Sequence, residues 1–259
     1  MARDKICIFC GKTDSPFHKE DILAKWMMRE LPQKKPFTKV INTKTGKFFV
    51  TRSNLGLVTR AVCKACNGGW MSRLEGFARP ILQPMMRGKP QTLSAEDQRI
   101  LTQWLMKTAM VMEFGPDAIP MFFQSEDRRE FFESFSIPDN TVMTLARWHR
   151  KHWEFRTRSH DIIGKYLVDG LTDFRAFIIT FAIGQAVMQL FSVRRVAVPH
   201  ARLLNPLAPV GLPVSWKDVD LQIWPYQQTI HFPPRLALDD ASFETFMGRW
   251  SEFRWMLRS

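Results

Sequence analysis

Apolar side chains recur at helical spacing in some stretches of this chain and at every second position in others, and the two periods divide it into predicted helices and strands. Trp70, Met71, Leu74, Phe77 and Ile81 share one helical face, on a helix that Pro80 bends or ends. Ser94 and Asp97 form a capping-box start for a second helix, with Ile100, Leu101, Trp104, Leu105, Thr108, Val111 and Met112 along one side. Residues 126–135 predict a short helix. Asp239 or Asp240 caps a last one, with Phe243, Phe246, Met247, Trp250 and Phe253 facing one way. Residues 17–26 read as a strand followed by a helix. Residues 39–42 and 47–50 are β-prone and flank Gly46, which predicts a basic hairpin. Residues 141–163 read as strands. The run 174–193 fits either a buried strand leading into a helix or one long helix. Prolines across 199–234 mark irregular connections and short strands.

These elements in this order predict an α+β protein. Its 259 residues, 45% hydrophobic and 24% charged, match ordinary globular usage, and that length buries a sizeable core. Disordered and fibrous classes are thereby excluded. The expected division is a compact metal module over 1–82 and a larger mixed α+β region over 83–259. The uncharged run 176–193 is long enough to raise a membrane span. It contains Thr180, Gly184, Gln185, Gln189 and Ser192, and so reads as part of a soluble core. The first five residues lead into no apolar core, so no signal peptide is expected, and the expected location is cytoplasmic.

Charge changes the picture. The formal net charge is +12, which favours polyanionic partners through counterion release from phosphates. Residues 31–74 contain no Asp or Glu but nine Lys or Arg residues. Within this stretch Lys34, Lys35, Lys39, Lys44, Lys47, Arg52 and Arg60 are candidate nucleic-acid contacts. A solvated loop with solubilising lysines would look the same. Further on, His149 and His152 lie among Arg147, Arg150, Lys151, Arg156 and Arg158, interleaved with Trp148 and Trp153. This run suits phosphate contact and base stacking, or equally a strand with a basic outer face and a buried aromatic one. His160, His200 and His231 are isolated.

The strongest chemical signal is the cysteines. All four lie in two Cys-x-x-Cys pairs, Cys7 with Cys10 and Cys63 with Cys66, separated by 52 residues. In a reducing compartment such pairs read as metal ligands, and four thiolates make a closed tetrahedral zinc site. A redox pair needs a strand-to-helix setting in a thioredoxin-like fold, which neither pair has. Plain buried cysteines are the remaining alternative.

The segments Cys7-Ile8-Phe9-Cys10-Gly11, Lys19-Glu20-Asp21-Ile22 and Cys63-Lys64-Ala65-Cys66-Asn67 resemble the zinc-knuckle branch of the HNH endonucleases. The wider stretch from Cys63 to Glu75 is similar to a bacterial and phage subset of that family, which invites a role in phage or bacterial defence. The motif match covers residues 6–77. The resemblance implies a zinc-bound ββα-metal module and a hydrolase that cuts phosphodiester bonds in DNA. Glu20 and Asn67 would hold a catalytic Mg²⁺ or Mn²⁺, and Asn54 would brace the loop. The family's general base is a His after the acidic residue, and Asp21 stands at that place here. A carboxylate with a pKa near about 4 is a poorer base than imidazole. Asp21 could instead join the ligands. His18 is the nearby imidazole, although in a strand it shares a face with Glu20. Asn67 alone could equally be a helix N-cap. The competing expectations are a degenerate, zinc-containing nucleic-acid-binding protein and a protein-interaction factor whose zinc is purely architectural.

Overall fold

The computed structural model describes residues 6–13, 16–17, 20–30, 37–43, 46–52, 58–115, 121–149, 155–166, 172–195 and 218–248. In the N-terminal part, β1 (Glu20–Asp21) precedes α1 (Lys25–Glu30) and the hairpin of β2 (Phe37–Thr43) with β3 (Gly46–Arg52). The hairpin falls where the β-prone pieces around Gly46 place it. β4 (Val58–Thr59) then returns to pair antiparallel with β1, and a bridge from Phe17 to Cys63 extends the contact. α2 (Lys64–Cys66), a π-helical turn over Asn67–Met71 and α3 (Ser72–Met86) follow without a break in the chain.

Pro80 does not end the helix, which runs through both Pro80 and Pro84. The proline ring would clash with the carbonyl four residues back. Here that residue is Gly76, and both Gly76 and Pro80 are exposed, so the freed carbonyl lies on the solvent side of the helix. Burial of Leu74, Ala78, Ile81, Leu82, Met85 and Met86 on the opposite side holds the helix together.

β5 (Gln91–Ser94) leads into α4 (Ala95–Met112), whose capping box is formed as expected. Ser94 Oγ accepts from Asp97 N at 3.1 Å, and Asp97 Oδ2 accepts from Ser94 N at 2.9 Å. Beyond its first turns α4 is buried on all sides: every residue over 101–113 is shielded, not only the predicted stripe. The surrounding elements explain this, since α4 packs against α3, β5 and two strands of the large sheet. Buried Lys107 donates to Glu75 of α3 at 2.8 Å. α5 (Ser125–Ser134) follows, close to its expected bounds.

The large sheet comprises β6 (Thr141–Arg147), β7 (Phe155–Tyr166), β8 (Thr172–Ile183), β9 (Ala186–Arg195) and β10 (Asp220–Trp224), all antiparallel, in the order β10-β6-β9-β8-β7. The run 174–193 is therefore a two-stranded hairpin, and neither helical reading of it holds. β-branched and aromatic side chains favour the pleated backbone, and Gly184 at φ 59° permits the two-residue turn with Gln185. Successive side chains point to opposite faces, and both faces are covered. Phe177, Ile179, Phe181 and Ile183 join the main core, while Ala182 and Val187 meet Trp148, Phe243 and Phe246. The polar residues of the run find partners: Gln189 donates to Thr180 across the pair at 2.8 Å, and Ser192 bonds Thr141 at 3.0 Å.

β11 (Thr229–Phe232) pairs with β5, and buried Gln98 clamps the backbone of Gln227 through bonds of 3.0 and 2.9 Å. α6 (Asp240–Gly248) closes the described chain, with Asp239 accepting from Ser242 N at 2.7 Å as its cap. Among the described residues no helix is long and apolar enough to cross a membrane.

Candidate metal centre

Two backbone turns build the site. In the first, Gly11 N donates to Cys7 O at 3.0 Å and Cys7 N to Lys12 O at 3.0 Å, which folds Cys7 and Cys10 onto one side of a knuckle. In the second, Cys63 is the N-cap of α2, and its sulfur accepts from Cys66 N at 3.5 Å. Ile8 N bonds Ala61 O at 3.1 Å and Cys63 N reaches Cys7 Sγ at 3.4 Å, so each turn is bound to the other.

The four sulfurs lie within 4.8 Å of one another, and Cys10 Sγ is 3.7 Å from Cys63 Sγ. A tetrahedral zinc ion with bonds of about 2.3 Å requires sulfurs about 3.8 Å apart. All four cysteines are free, and three are buried. The donor set thus fits a metal ion such as zinc, and soft thiolates favour it over hard cations. Proton distribution within the cluster agrees. The Cys66 thiol and several backbone N–H groups hold the Cys7 thiol down to about 4 despite its burial. Cys66 is pushed up by sharing its proton with Cys7 and by burial, and Cys10 is pushed up chiefly by burial. A bound dication would supply the charge that releases protons from the thiols.

Trp70 stands beside this centre. Its ring meets Phe9 of the first knuckle edge-on at 5.1 Å between centroids, Phe131 of α5 at 6.0 Å, and Phe135 just after α5 at 5.6 Å. The helical period placed Trp70 on a core face, and its ring contacts agree.

The other expected residues are placed as follows. Glu20 sits in β1 opposite Thr59, and Asp21 opposite Val58. Asp21 is exposed, with Lys25 Nζ at 4.0 Å. Asn67 is half-buried one turn after Cys63, whose carbonyl accepts its N–H at 3.0 Å. It is not the N-cap, because Cys63 fills that place. Lys39, Lys47 and Arg52 belong to the β2–β3 hairpin, and Arg60 is exposed beside the knuckle. His18, Lys34, Lys35, Lys44 and Asn54 lie outside the described residues. Of the later basic and aromatic run, Trp148 is buried, stacked on Phe243 at 4.1 Å and bonded to Asp240 at 3.0 Å, so it offers no base-stacking face. His149 is exposed, and His231 Nδ1 lies 3.1 Å from Thr92 Oγ1.

No family model, curated protein or solved structure matches this chain.

Proposed function

We propose that the chain is an HNH-like endonuclease that hydrolyses phosphodiester bonds in DNA with a divalent metal, its module held by structural zinc in a ββα-metal arrangement. The observation that carries this reading is the pairing of β1 with β4 beside the cysteine cluster. It supports a frame of two strands, a knuckle and a helix, with the acidic pair Glu20 and Asp21 on one strand and Asn67 on the helical segment. Glu20 and Asn67 would supply hard-oxygen ligands suited to Mg²⁺ or Mn²⁺. Such an ion, when bound, neutralises charge developing on the scissile phosphate. Asp21, which is exposed, or His18 would accept the proton from the attacking water. The basic hairpin of β2 and β3, with Arg60, would hold the DNA backbone.

A second reading is favoured by the residue at position 21. With Asp where the family carries His, the module would bind nucleic acid without cutting it. Plasmid nicking separates the two. The nuclease reading expects Mg²⁺- or Mn²⁺-dependent nicking that Glu20→Ala and Asn67→Ala each abolish. Intact plasmid with retained, salt-sensitive binding would select the degenerate reading, and Asp21→His should then create cleavage. Neither cutting nor binding would leave an architectural zinc module.

A further inference from the structure

We infer that the exposed face of α3 around Phe77 binds single-stranded DNA, with Phe77 stacking on an unpaired base and Arg73 holding an adjoining phosphate. This role rests on the proposed action on DNA and specifies the strand form that the face takes. The helical period puts Phe77 on the core side with Leu74 and Ile81, yet the structure turns it outward, 61% exposed. The helix is otherwise firmly seated, with Leu74, Ala78, Ile81, Leu82, Met85 and Met86 all buried. A single exposed apolar residue is ordinary on a protein surface, and Ile6, Met121, Tyr226 and Leu236 are others here. What sets Phe77 apart is its surroundings.

Arg73 lies one turn before Phe77 and Pro80 one turn after, and both are exposed. Helical side chains lean toward the N-terminus, which brings the ring toward Arg73. At Gly76, beside it, an added Cβ would meet nothing within 4 Å, so the ring is approachable. Pro80 has no N–H to offer the Gly76 carbonyl, which leaves an acceptor on the same side. Arg60 and Lys64, earlier in the chain, are exposed as well. Among the described residues none of Arg60, Lys64 and Arg73 pairs with a carboxylate. Glu75, the one acidic residue of α3, is engaged by buried Lys107 at 2.8 Å and does not offset them. The surface is therefore cationic and complementary to a polyanion. An acidic peptide would meet the charges but leave the ring and the carbonyl unused. A nucleotide meets all three, with a π face for the ring, a base N–H for the carbonyl and a phosphate for the arginine. Paired bases keep their faces stacked inside the duplex, so the ring selects a strand whose bases are unpaired.

The test measures binding of the zinc-loaded chain, without Mg²⁺ or Mn²⁺, to three probes of equal length. They are a mixed-sequence DNA strand, a strand of abasic spacers that keeps the phosphates, and a duplex. Phe77→Ala is expected to weaken binding to the mixed-sequence strand about tenfold or more and to leave the other two probes unchanged. Phe77→Leu keeps apolar bulk without a ring and should lose binding likewise, whereas Phe77→Trp should retain it. The exposure of this position means that the melting temperature should stay at the wild-type value in all three variants. Arg73→Gln should lower the slope of log affinity against log salt on the single strands by about 0.7. Equal affinity of wild type and Phe77→Ala for the mixed-sequence strand would overturn the inference. So would an equal loss on all three probes, or a wild-type chain that binds no single strand. Intact plasmid together with ring-dependent strand binding would count against the nuclease reading alone. Plasmid nicking together with ring-independent binding would count against this face alone.

Discussion

Glu113 and Arg128 illustrate how much a single buried pair organises. The Arg128 guanidinium donates to Glu113, whose other oxygen accepts from Phe122 N at 2.7 Å and Phe123 N at 3.1 Å. One carboxylate thus joins the end of α4, the segment before α5 and α5 itself. Breaking such a pair leaves an uncompensated buried charge. Arg128→Met should lower the unfolding free energy by about 3–5 kcal/mol, measured in urea. Burial outweighs these partners and raises the Glu113 carboxyl above its ordinary 4.5. The folded state therefore binds this proton more tightly than the unfolded state, and the contribution to stability is present at low pH and lost as pH rises through the folded value. Glu113→Gln should flatten that fall in a pH series of urea midpoints. None of this pairing was visible in sequence, where Glu113 and Arg128 were two unremarked charges. The cysteines were visible, because thiol pairs at knuckle spacing have few other uses.

Among elements, the β8–β9 turn fits closely against the end of α3. Gln185 N donates to Met86 O at 2.8 Å, and Arg147 Nε holds Gln185 Oε1 at 2.9 Å. Gly88 adopts φ +69°, and a Cβ there would lie 2.1 Å from that oxygen. Gly88→Ala combines an unfavourable backbone region with this overlap and should destabilise by about 1–3 kcal/mol, read as a lowered denaturant midpoint with unchanged slope. The capping box of α4 supports a milder expectation, about 1 kcal/mol for Ser94→Ala. That box, the basic hairpin and α5 were legible because capping and turn chemistry are local. The 174–193 hairpin was not. A largely apolar run with scattered polar residues shows neither period clearly, and only the neighbours on both faces select the strand.

Across the whole molecule, one cluster of buried residues runs from Cys7, Phe9 and Cys66 through Leu82, Trp104 and Phe131 to Phe181 and Met188. The cysteine centre is thus continuous with the main core. Chelation should lower the melting temperature of that core as well as release metal, with near-UV circular dichroism following zinc content. Metal loss should also be favoured by acid, because thiols must be deprotonated to bind. Elemental analysis is expected to give one zinc per chain. Two separate transitions, with only the first sensitive to chelator, would contradict this coupling.

By itself the sequence determined the α+β class, the four-cysteine cluster, the basic hairpin and the capped starts of α4 and α6, since each rests on short-range spacing or side-chain chemistry. Tertiary structure alone decided that α4 is buried all round, that α3 continues through its prolines, that the apolar run is a hairpin and that Trp70 packs against the first knuckle and α5. Those outcomes depend on what covers a segment, and burial by residues distant in the chain leaves no local mark.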